Sequence, residues 1–222
     1  MKNNKLENFT CIMVIILILL FFYDDNDEEF YTNIKEIKEP NNITVLVNKN
    51  NILPKTYIPN DLRLINNRYA YSNKYLREEA AINFENLSAD AKVLGYRIIA
   101  TSAFRDYEYQ EKLFNEYTNS KGLEYALLCS AKPGHSEHQT GLAVDVEGSN
   151  KDYDEFEKSI EFNWMKENAH KYGFILRYPK GKEYITGFKY EPWHYRYVGI
   201  KHATNIYNQN ITLEEYKKRL NN

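Results

Sequence analysis

A run of 15 apolar residues at positions 9–23 divides this chain into two unequal parts. Lys2 and Lys5 precede the run, and the acidic stretch DDNDEE follows it directly. At about 1.5 Å per residue, a helix of this length spans roughly 22 Å, which is shorter than a hydrocarbon core of about 30 Å. The length therefore fits both the hydrophobic region of a signal peptide and a short membrane anchor.

The flanks of the run favour an anchor that is not cleaved. No pattern of small residues typical of signal cleavage follows Tyr23. Basic residues before the run and acidic residues after it place the N-terminus in the cytoplasm and the remainder outside. We therefore expect a single-pass protein of the cell membrane, anchored by residues 1–23. The alternatives are a cleaved signal segment, which would give a secreted protein, and a buried core helix.

The rest of the chain is expected to form a tether and one domain. Residues 24–42 are acidic and without hydrophobic periodicity, which is typical of a tether. Residues 43–222 are enough for one substantial core and too few for two ordinary domains. The formal net charge is −2, with no basic cluster interleaved with aromatic residues, so a nucleic-acid partner is not expected. No oligomeric state follows from the sequence.

Hydrophobic periodicity in the domain predicts both helices and short strands. Apolar residues at spacings of three and four from Leu76 to Leu94 predict a long helix that ends near Gly95. The segment 96–104, YRIIATSAF, predicts a buried strand, and Asp106 can cap the helix that follows. Further strands are expected at 43–47, 142–146, 174–179 and 193–198, and further helices at 123–129, 162–173, 199–207 and 212–220. Because strands and helices do not alternate regularly, the predicted class is α+β, with a small, mainly antiparallel sheet packed by helices.

The stretch HSEHQTGLAVDVEG, residues 135–148, contains the first candidates for a metal site. In its strand, Leu142 and Val144 point to one face and Asp145 to the other, because side chains alternate along a strand. His138 lies in the preceding loop and can fold back towards Asp145. An isolated histidine–aspartate pair more often forms a structural hydrogen bond than a metal site. A third donor is therefore needed before a metal site can be inferred.

The segment EPWH, residues 191–194, offers that third donor. Pro192 keeps the segment from being helical. Positions three apart on a strand face opposite sides, so Glu191 and His194 can share one site only if the chain bends at the proline. Two imidazoles and one carboxylate would leave a fourth position open on Zn²⁺, as in catalytic zinc sites. A nearby acid that does not bind the metal would then act as the general base of hydrolysis.

Three segments together resemble a known family. SEHQTGLAVD fits the pattern Ser-x-His-x-x-Gly-x-Ala-x-Asp, and it occurs with EPWH and with the upstream TSAFRDYEYQ. In this combination the chain closely resembles the VanY-type D-Ala-D-Ala carboxypeptidases, zinc peptidases that trim bacterial peptidoglycan stems. The resemblance extends from about Leu46 to Ile206. It implies the hedgehog/D,D-peptidase-like fold, with the zinc site in a cleft on the sheet.

The resemblance also implies roles for individual residues. One zinc ion per domain would be bound by His138, Asp145 and His194. Glu191 would be the catalytic base. The substrate would be held by Arg105, Gln110, Ser136 and Trp193. A planar guanidinium suits the free terminal carboxylate of such a substrate, because it can bind a carboxylate through two hydrogen bonds.

The expected activity is therefore removal of the C-terminal D-alanine from peptidoglycan stem peptides, outside the cell membrane. The D,D-carboxypeptidase reaction on pentapeptide stems is favoured, and the L,D-carboxypeptidase reaction on tetrapeptide stems is the alternative. A further alternative is a non-catalytic zinc-containing binding module, since the signalling domain of hedgehog proteins has the same fold. Glu191 and Arg105 favour the enzyme, because a binding module needs neither of them.

Overall fold

The computed structural model describes residues 30–150 and 155–220. The apolar run at 9–23, which carries the expectation of an anchor, lies outside the described residues. Within the two described ranges, no helix is both long and apolar enough to cross a membrane.

The described part of the chain contains eight short strands and seven α-helices. The strands are β1 (Lys35–Glu36), β2 (Asn51–Ile52), β3 (Leu62–Leu64), β4 (Tyr75–Arg77), β5 (Ile99–Ser102), β6 (Ala143–Glu147), β7 (Phe174–Leu176) and β8 (His194–Tyr197). The helices are α1 (Glu78–Val93), α2 (Tyr107–Lys121), α3 (Leu123–Cys129), α4 (Ile160–Asn168), α5 (Glu183–Thr186), α6 (Ile200–Gln209) and α7 (Leu213–Leu220). Three 3₁₀ turns complete the list: Glu137–Thr140, Phe156–Lys158 and Ala169–Tyr172.

The central sheet has four strands in the order β5-β6-β8-β7, and all its neighbours are antiparallel. The predicted α+β class with a small antiparallel sheet is confirmed. In the register of β6 and β8, Asp145 lies directly opposite His194. On the other side of β6, Asp145 is paired with Ser102 of β5. The pairing of the strands thus brings distant segments of the sequence together around one carboxylate. Two further pairs lie outside this sheet, β1 with β2 in parallel and β3 with β4 antiparallel.

The main hydrophobic core covers one face of the central sheet. Helix α1 contributes Ala80, Phe84, Leu87 and Ala91, all fully buried at the predicted helical spacing. Each large apolar side chain buried in this way stabilises the fold by about 1.5–3 kcal/mol. The helix ends where it was predicted to end, with Gly95 at φ 86°, a conformation that glycine adopts without strain. Because side chains alternate along a strand, the polar side chains between the core residues of β6 and β8 point to the other face.

The expectation of a strand at 43–47 is wrong. Val45 and Val47 are buried in a small apolar cluster with Leu53, but their segment joins no strand. The carbonyl oxygens of Ile43 and Val45 instead accept hydrogen bonds from the guanidinium of Arg196, at 3.2 and 2.8 Å. Because these carbonyl oxygens bind the buried guanidinium, they do not pair with a neighbouring strand, and the segment is irregular.

The packed part of the chain begins upstream of the boundary expected at residue 43. The amide of Lys35 donates to the carbonyl of Asn50 at 2.9 Å, and β1 pairs with β2. The ring of Tyr31 lies edge-on to that of His135, with centroids 5.0 Å apart. Part of the expected tether at 24–42, from Tyr31 to Ile37, therefore contacts the domain.

Candidate metal centre and active-site cleft

Three side chains from separate segments converge on the polar face of the sheet. Asp145 comes from β6, His194 from the start of β8, and His138 from the 3₁₀ turn before β6. One ligand atom from each lies within 4.8 Å of the others, and all three residues are buried. Nε2 of His138 is 3.3 Å from Oδ2 of Asp145, and Nδ1 of His194 is 3.0 Å from Oδ1 of the same residue. The three residues predicted as zinc ligands thus form one cluster.

The contacts of His138 show which of its nitrogens can bind a metal. Nδ1 of His138 lies 2.6 Å from the carbonyl oxygen of Ala103. A carbonyl oxygen can only accept, so Nδ1 carries the hydrogen and Nε2 presents its lone pair towards Asp145. Together with one carboxylate and a second imidazole, this donor set fits Zn²⁺.

The surroundings move the pKa values of the two histidines in opposite directions. Burial lowers the pKa of His138 to about 4, and the charge of Arg105 acts in the same direction. Burial also lowers the pKa of His194, but its interactions with the carboxylates of Asp145 and Glu137 outweigh burial and raise that pKa to about 9. Burial raises the pKa of Asp145, but the two histidines lower it more strongly, and the pKa stays well below the usual range. In the metal-free site His194 is therefore protonated near neutral pH, and metal binding would displace that proton.

Glu191 reaches the same cluster because the chain turns before β8. The amide of His194 donates to the carbonyl of Glu191 at 3.2 Å, which closes the turn. Oε2 of Glu191 is 3.7 Å from Nδ1 of His194. The side chain is buried, and this burial, aided by the charge of Asp145, raises the pKa of Glu191 to about 7. A carboxylate with a pKa near neutrality is suited to accept and return a proton.

Arg105 stands at the junction of β5 and α2, on the wall of the same cleft. Its Nη1 donates to Oγ of Ser102 at 3.1 Å and lies 3.8 Å from Oδ2 of Asp145. The side chain is about one-fifth exposed, at 19%. A guanidinium has five N–H donors, so these contacts leave donors for a ligand in the cleft.

The remaining predicted substrate residues are placed differently from one another. Ser136 and Trp193 line the cleft, and Oγ of Ser136 accepts from the amide of His138 at 3.4 Å. Gln110 is buried inside α2. Its amide nitrogen donates to Oγ of Ser130 at 3.2 Å and to the carbonyl of Ala131 at 2.8 Å. Gln110 thus supports a segment of the cleft wall, and its direct contact with substrate stays a prediction.

The cleft has a volume of about 470 Å³, in the range of small-ligand sites. Much of its wall comes from residues that the sequence did not single out: Tyr109, Tyr117, Tyr125, Tyr178, Phe188 and Lys189. Tyr109 and Tyr117 lie eight residues apart on one helix, and this recurrence was the signal in the sequence that could have indicated a wall of the cleft. Cys129 is half-buried and also lines the cleft.

A buried network of charged residues behind the cleft was also not predicted from the sequence. Oε1 of Glu137 accepts from Nε of Arg177 at 2.8 Å and from Nη1 of Arg196 at 2.7 Å. Arg177 in turn forms two hydrogen bonds to Glu214 of α7, at 2.9 and 2.7 Å. Both arginines are fully buried, and two glutamates balance their charges. The signal in the sequence was an arginine beside aromatic residues in each of two segments, FILRYP and WHYRYV.

Fold and site together define a class, the hydrolases that use a single zinc ion held by two histidines and one aspartate. The family model described as VanY, D-alanyl-D-alanine carboxypeptidase, matches residues 73–200, which is more than half of the chain. The protein belongs to this family. The YodJ protein of Bacillus subtilis (strain 168) is 40% identical over 205 residues, covering 86% of this chain and 75% of YodJ.

Two solved structures are similar as well. The LdcB LD-carboxypeptidase has a TM-score of 0.79 and 41% sequence identity, over 84% of this chain and 91% of LdcB. A mutant of the vancomycin resistance D,D-pentapeptidase VanY, from a VanB-type resistance cassette, was solved in complex with Zn(II). It has a TM-score of 0.66 and 34% identity, over 78% of this chain and 97% of that one. The Zn(II) of that relative agrees with the donor set described above.

Proposed function

We propose that this protein is a zinc-dependent carboxypeptidase that removes the terminal D-alanine from peptidoglycan stem peptides. The observation that carries the proposal is the position of Glu191, a buried carboxylate 3.7 Å from Nδ1 of His194 and outside the ligand cluster. A zinc site that only stabilises a fold or a binding surface has no use for a carboxylate of raised pKa beside it. Hydrolysis needs one, because water must lose a proton as it attacks.

Different residues of the chain have different roles in the reaction. Zinc, held by His138, Asp145 and His194, would polarise the scissile carbonyl and lower the pKa of the attacking water. Glu191 takes the proton of that water and returns it to the leaving amine of D-alanine. Arg105 holds the terminal carboxylate.

The position of Arg105 supports the removal of a single residue. Its Nη1 is 3.8 Å from Oδ2 of Asp145, one of the proposed ligands. One residue of an extended peptide spans about 3.3–3.6 Å. A terminal carboxylate bound at Arg105 therefore brings the last peptide bond to the zinc ligands, so the enzyme is expected to release one amino acid at a time.

We propose the D,D reaction on pentapeptide stems as the main activity, supported by the D-alanyl-D-alanine carboxypeptidase family to which the chain belongs. The L,D reaction on tetrapeptide stems is the second candidate, favoured by the likeness to the LdcB LD-carboxypeptidase at a TM-score of 0.79. Both substrates present a terminal D-alanine to Arg105. They differ at the penultimate residue, which is an alanine in the pentapeptide and a diamino acid in the tetrapeptide.

Mass spectrometry of digests of the two stems, each with a free C-terminus, tests the proposal. We expect loss of one alanine from the pentapeptide, and no loss with the Glu191→Gln variant as control. Loss from the tetrapeptide alone would replace the D,D assignment by the L,D one. If neither stem is shortened by the zinc-loaded protein, the proposed function is wrong.

We further propose that residues 9–23 hold the protein at the cell membrane with the domain outside, supported by the charges that flank this run. Only residues 24–29 separate it from Phe30, whose ring is 5.1 Å from Nζ of Lys49. The same Nζ is 4.7 Å from the ring of Phe188 in the cleft wall. Six extended residues span at most about 22 Å. An uncleaved anchor would therefore keep the cleft near stem peptides at the membrane surface.

Cell fractionation tests this location. The full-length chain should sediment with the membranes and dissolve only in detergent. Recovery of a soluble species whose N-terminus lies after about residue 23 would show instead that the segment is a cleaved signal and the enzyme is secreted.

A further inference from the structure

Glu137 and His194 face each other through two buried atoms. Oε2 of Glu137 is 3.5 Å from Nε2 of His194. Within the described part of the chain, neither atom has a hydrogen-bond partner. The other oxygen of Glu137 is already bound by two arginines, so the orientation of the carboxylate towards His194 is fixed.

The two histidines of the metal centre use opposite ring nitrogens. His138 is held at Nδ1 by the carbonyl of Ala103 and presents Nε2 to Asp145. His194 presents Nδ1 to Asp145 and to Glu191. To bind a metal through Nδ1, His194 must carry its hydrogen on Nε2, and that hydrogen needs an acceptor. The carboxylate that faces Nε2 is Glu137.

We propose that Glu137 is a positioning residue of the zinc site, whose carboxylate holds His194 in the tautomer that directs Nδ1 to the metal. The inference rests on the proposed zinc site. A carboxylate behind a metal-bound histidine fixes the orientation of the ring and increases its basicity, and its loss typically weakens metal binding 10–100-fold. Here the carboxylate is itself held by hydrogen bonds from Arg177 and Arg196, which are both fully buried.

The Glu137→Gln variant tests this role, because an amide has only one oxygen, whereas the arginines and Nε2–H of His194 both need an acceptor at residue 137. Arg177 and Arg196 are donors and require the amide oxygen. The amide nitrogen would then face Nε2 of His194 and donate to it, which favours the wrong tautomer for a metal at Nδ1. We expect the Kd for zinc to rise about 10–100-fold. It is measured on the full chain in detergent, by competition with a chelator of known affinity.

The Glu214→Gln variant is the matched control. It removes the same charge from the same buried network, but Glu214 contacts Arg177 and not His194, and Arg196 still holds Glu137 in place. A purely structural role for the network predicts equal effects of the two variants. We expect both to lower the stability and only Glu137→Gln to weaken zinc binding. The visible spectrum of the cobalt-substituted protein should likewise change only in Glu137→Gln.

Glu137→Asp covers the case in which Glu137→Gln does not fold, because it keeps the charge but withdraws the carboxylate from His194. It too should weaken zinc binding. A zinc Kd within twofold of the wild-type value in the variant that folds, or an equal loss in Glu214→Gln, would overturn the inference. If the wild-type protein binds zinc and releases D-alanine, and Glu137→Gln binds zinc equally well, only the role of Glu137 is refuted. Wild-type protein without zinc binding refutes the proposed function as well.

Discussion

Replacement of Glu191 by glutamine should have two opposite effects, one on turnover and one on stability. The change keeps the size of a buried side chain and removes the group that accepts the proton. Loss of a general base typically lowers the rate 10²–10⁴-fold, which corresponds to about 2.7–5.4 kcal/mol in the activation free energy. Zinc content should not change, because Glu191 lies outside the ligand cluster.

The effect on stability follows from the raised pKa of Glu191. Burial raises that pKa from 4.5 to about 7, so the folded protein disfavours the charged carboxylate. The stability of the metal-free protein therefore falls as the pH rises from about 4.5 to about 7. At about 1.36 kcal/mol per pKa unit, the penalty reaches roughly 3 kcal/mol at pH 8 and is below about 1 kcal/mol at pH 5. Glutamine carries no such penalty.

The assay compares wild-type and Glu191→Gln protein after removal of the metal, by thermal unfolding at pH 5 and pH 8. We expect the variant to melt at a higher temperature than wild type at pH 8, with most of the difference lost at pH 5. Turnover is measured separately on the zinc-loaded proteins as release of D-alanine. More than one-tenth of wild-type turnover in the variant would show that another group acts as the base, and no gain in Tm at pH 8 would show that the buried carboxylate of Glu191 does not destabilise the fold.

Three further predictions concern the buried network, the substrate carboxylate and the pH profile. Glu214→Ala removes two hydrogen bonds from the fully buried Arg177 and should lower the free energy of unfolding by about 3–5 kcal/mol; a loss below about 1 kcal/mol in urea titrations would argue against an unrelieved buried charge. Arg105→Lys keeps the charge but loses the planar fork, so kcat/KM should fall about 10–100-fold, mainly through KM, with zinc content unchanged. An unchanged KM would show that the carboxylate binds elsewhere. The acid limb of kcat/KM should have its midpoint below pH 7, because bound zinc lowers the pKa of Glu191 from its metal-free value of about 7; a midpoint above pH 7 would contradict this.

The zinc site could be predicted because its chemistry is concentrated in short motifs. His138 and Asp145 fall in one loop and strand, and the alternation of that strand assigned the carboxylate to the face away from the core. The bend at Pro192 was required if Glu191 and His194 were to share a site, and the turn before β8 provides it.

Features that depend on distant pairings could not be predicted. The role of Glu137 becomes visible only when strands β7 and β8 bring Arg177 and Arg196 to it. The segment 43–47 has the composition of a strand, but its carbonyls bind Arg196, a residue more than 150 positions away. Helical periodicity placed Gln110 in α2 without showing that it is buried behind the cleft wall.

Titration of the metal-free full chain with zinc, with release of D-alanine from a pentapeptide stem as the readout, shows whether turnover depends on one bound zinc ion. We expect activity that rises linearly with added zinc and reaches its maximum at about one zinc per chain. His138→Ala and His194→Ala proteins should neither bind zinc tightly nor gain activity. Full activity in the presence of excess chelator, or wild-type activity of either variant at saturating zinc, would show that the reaction does not depend on this zinc site.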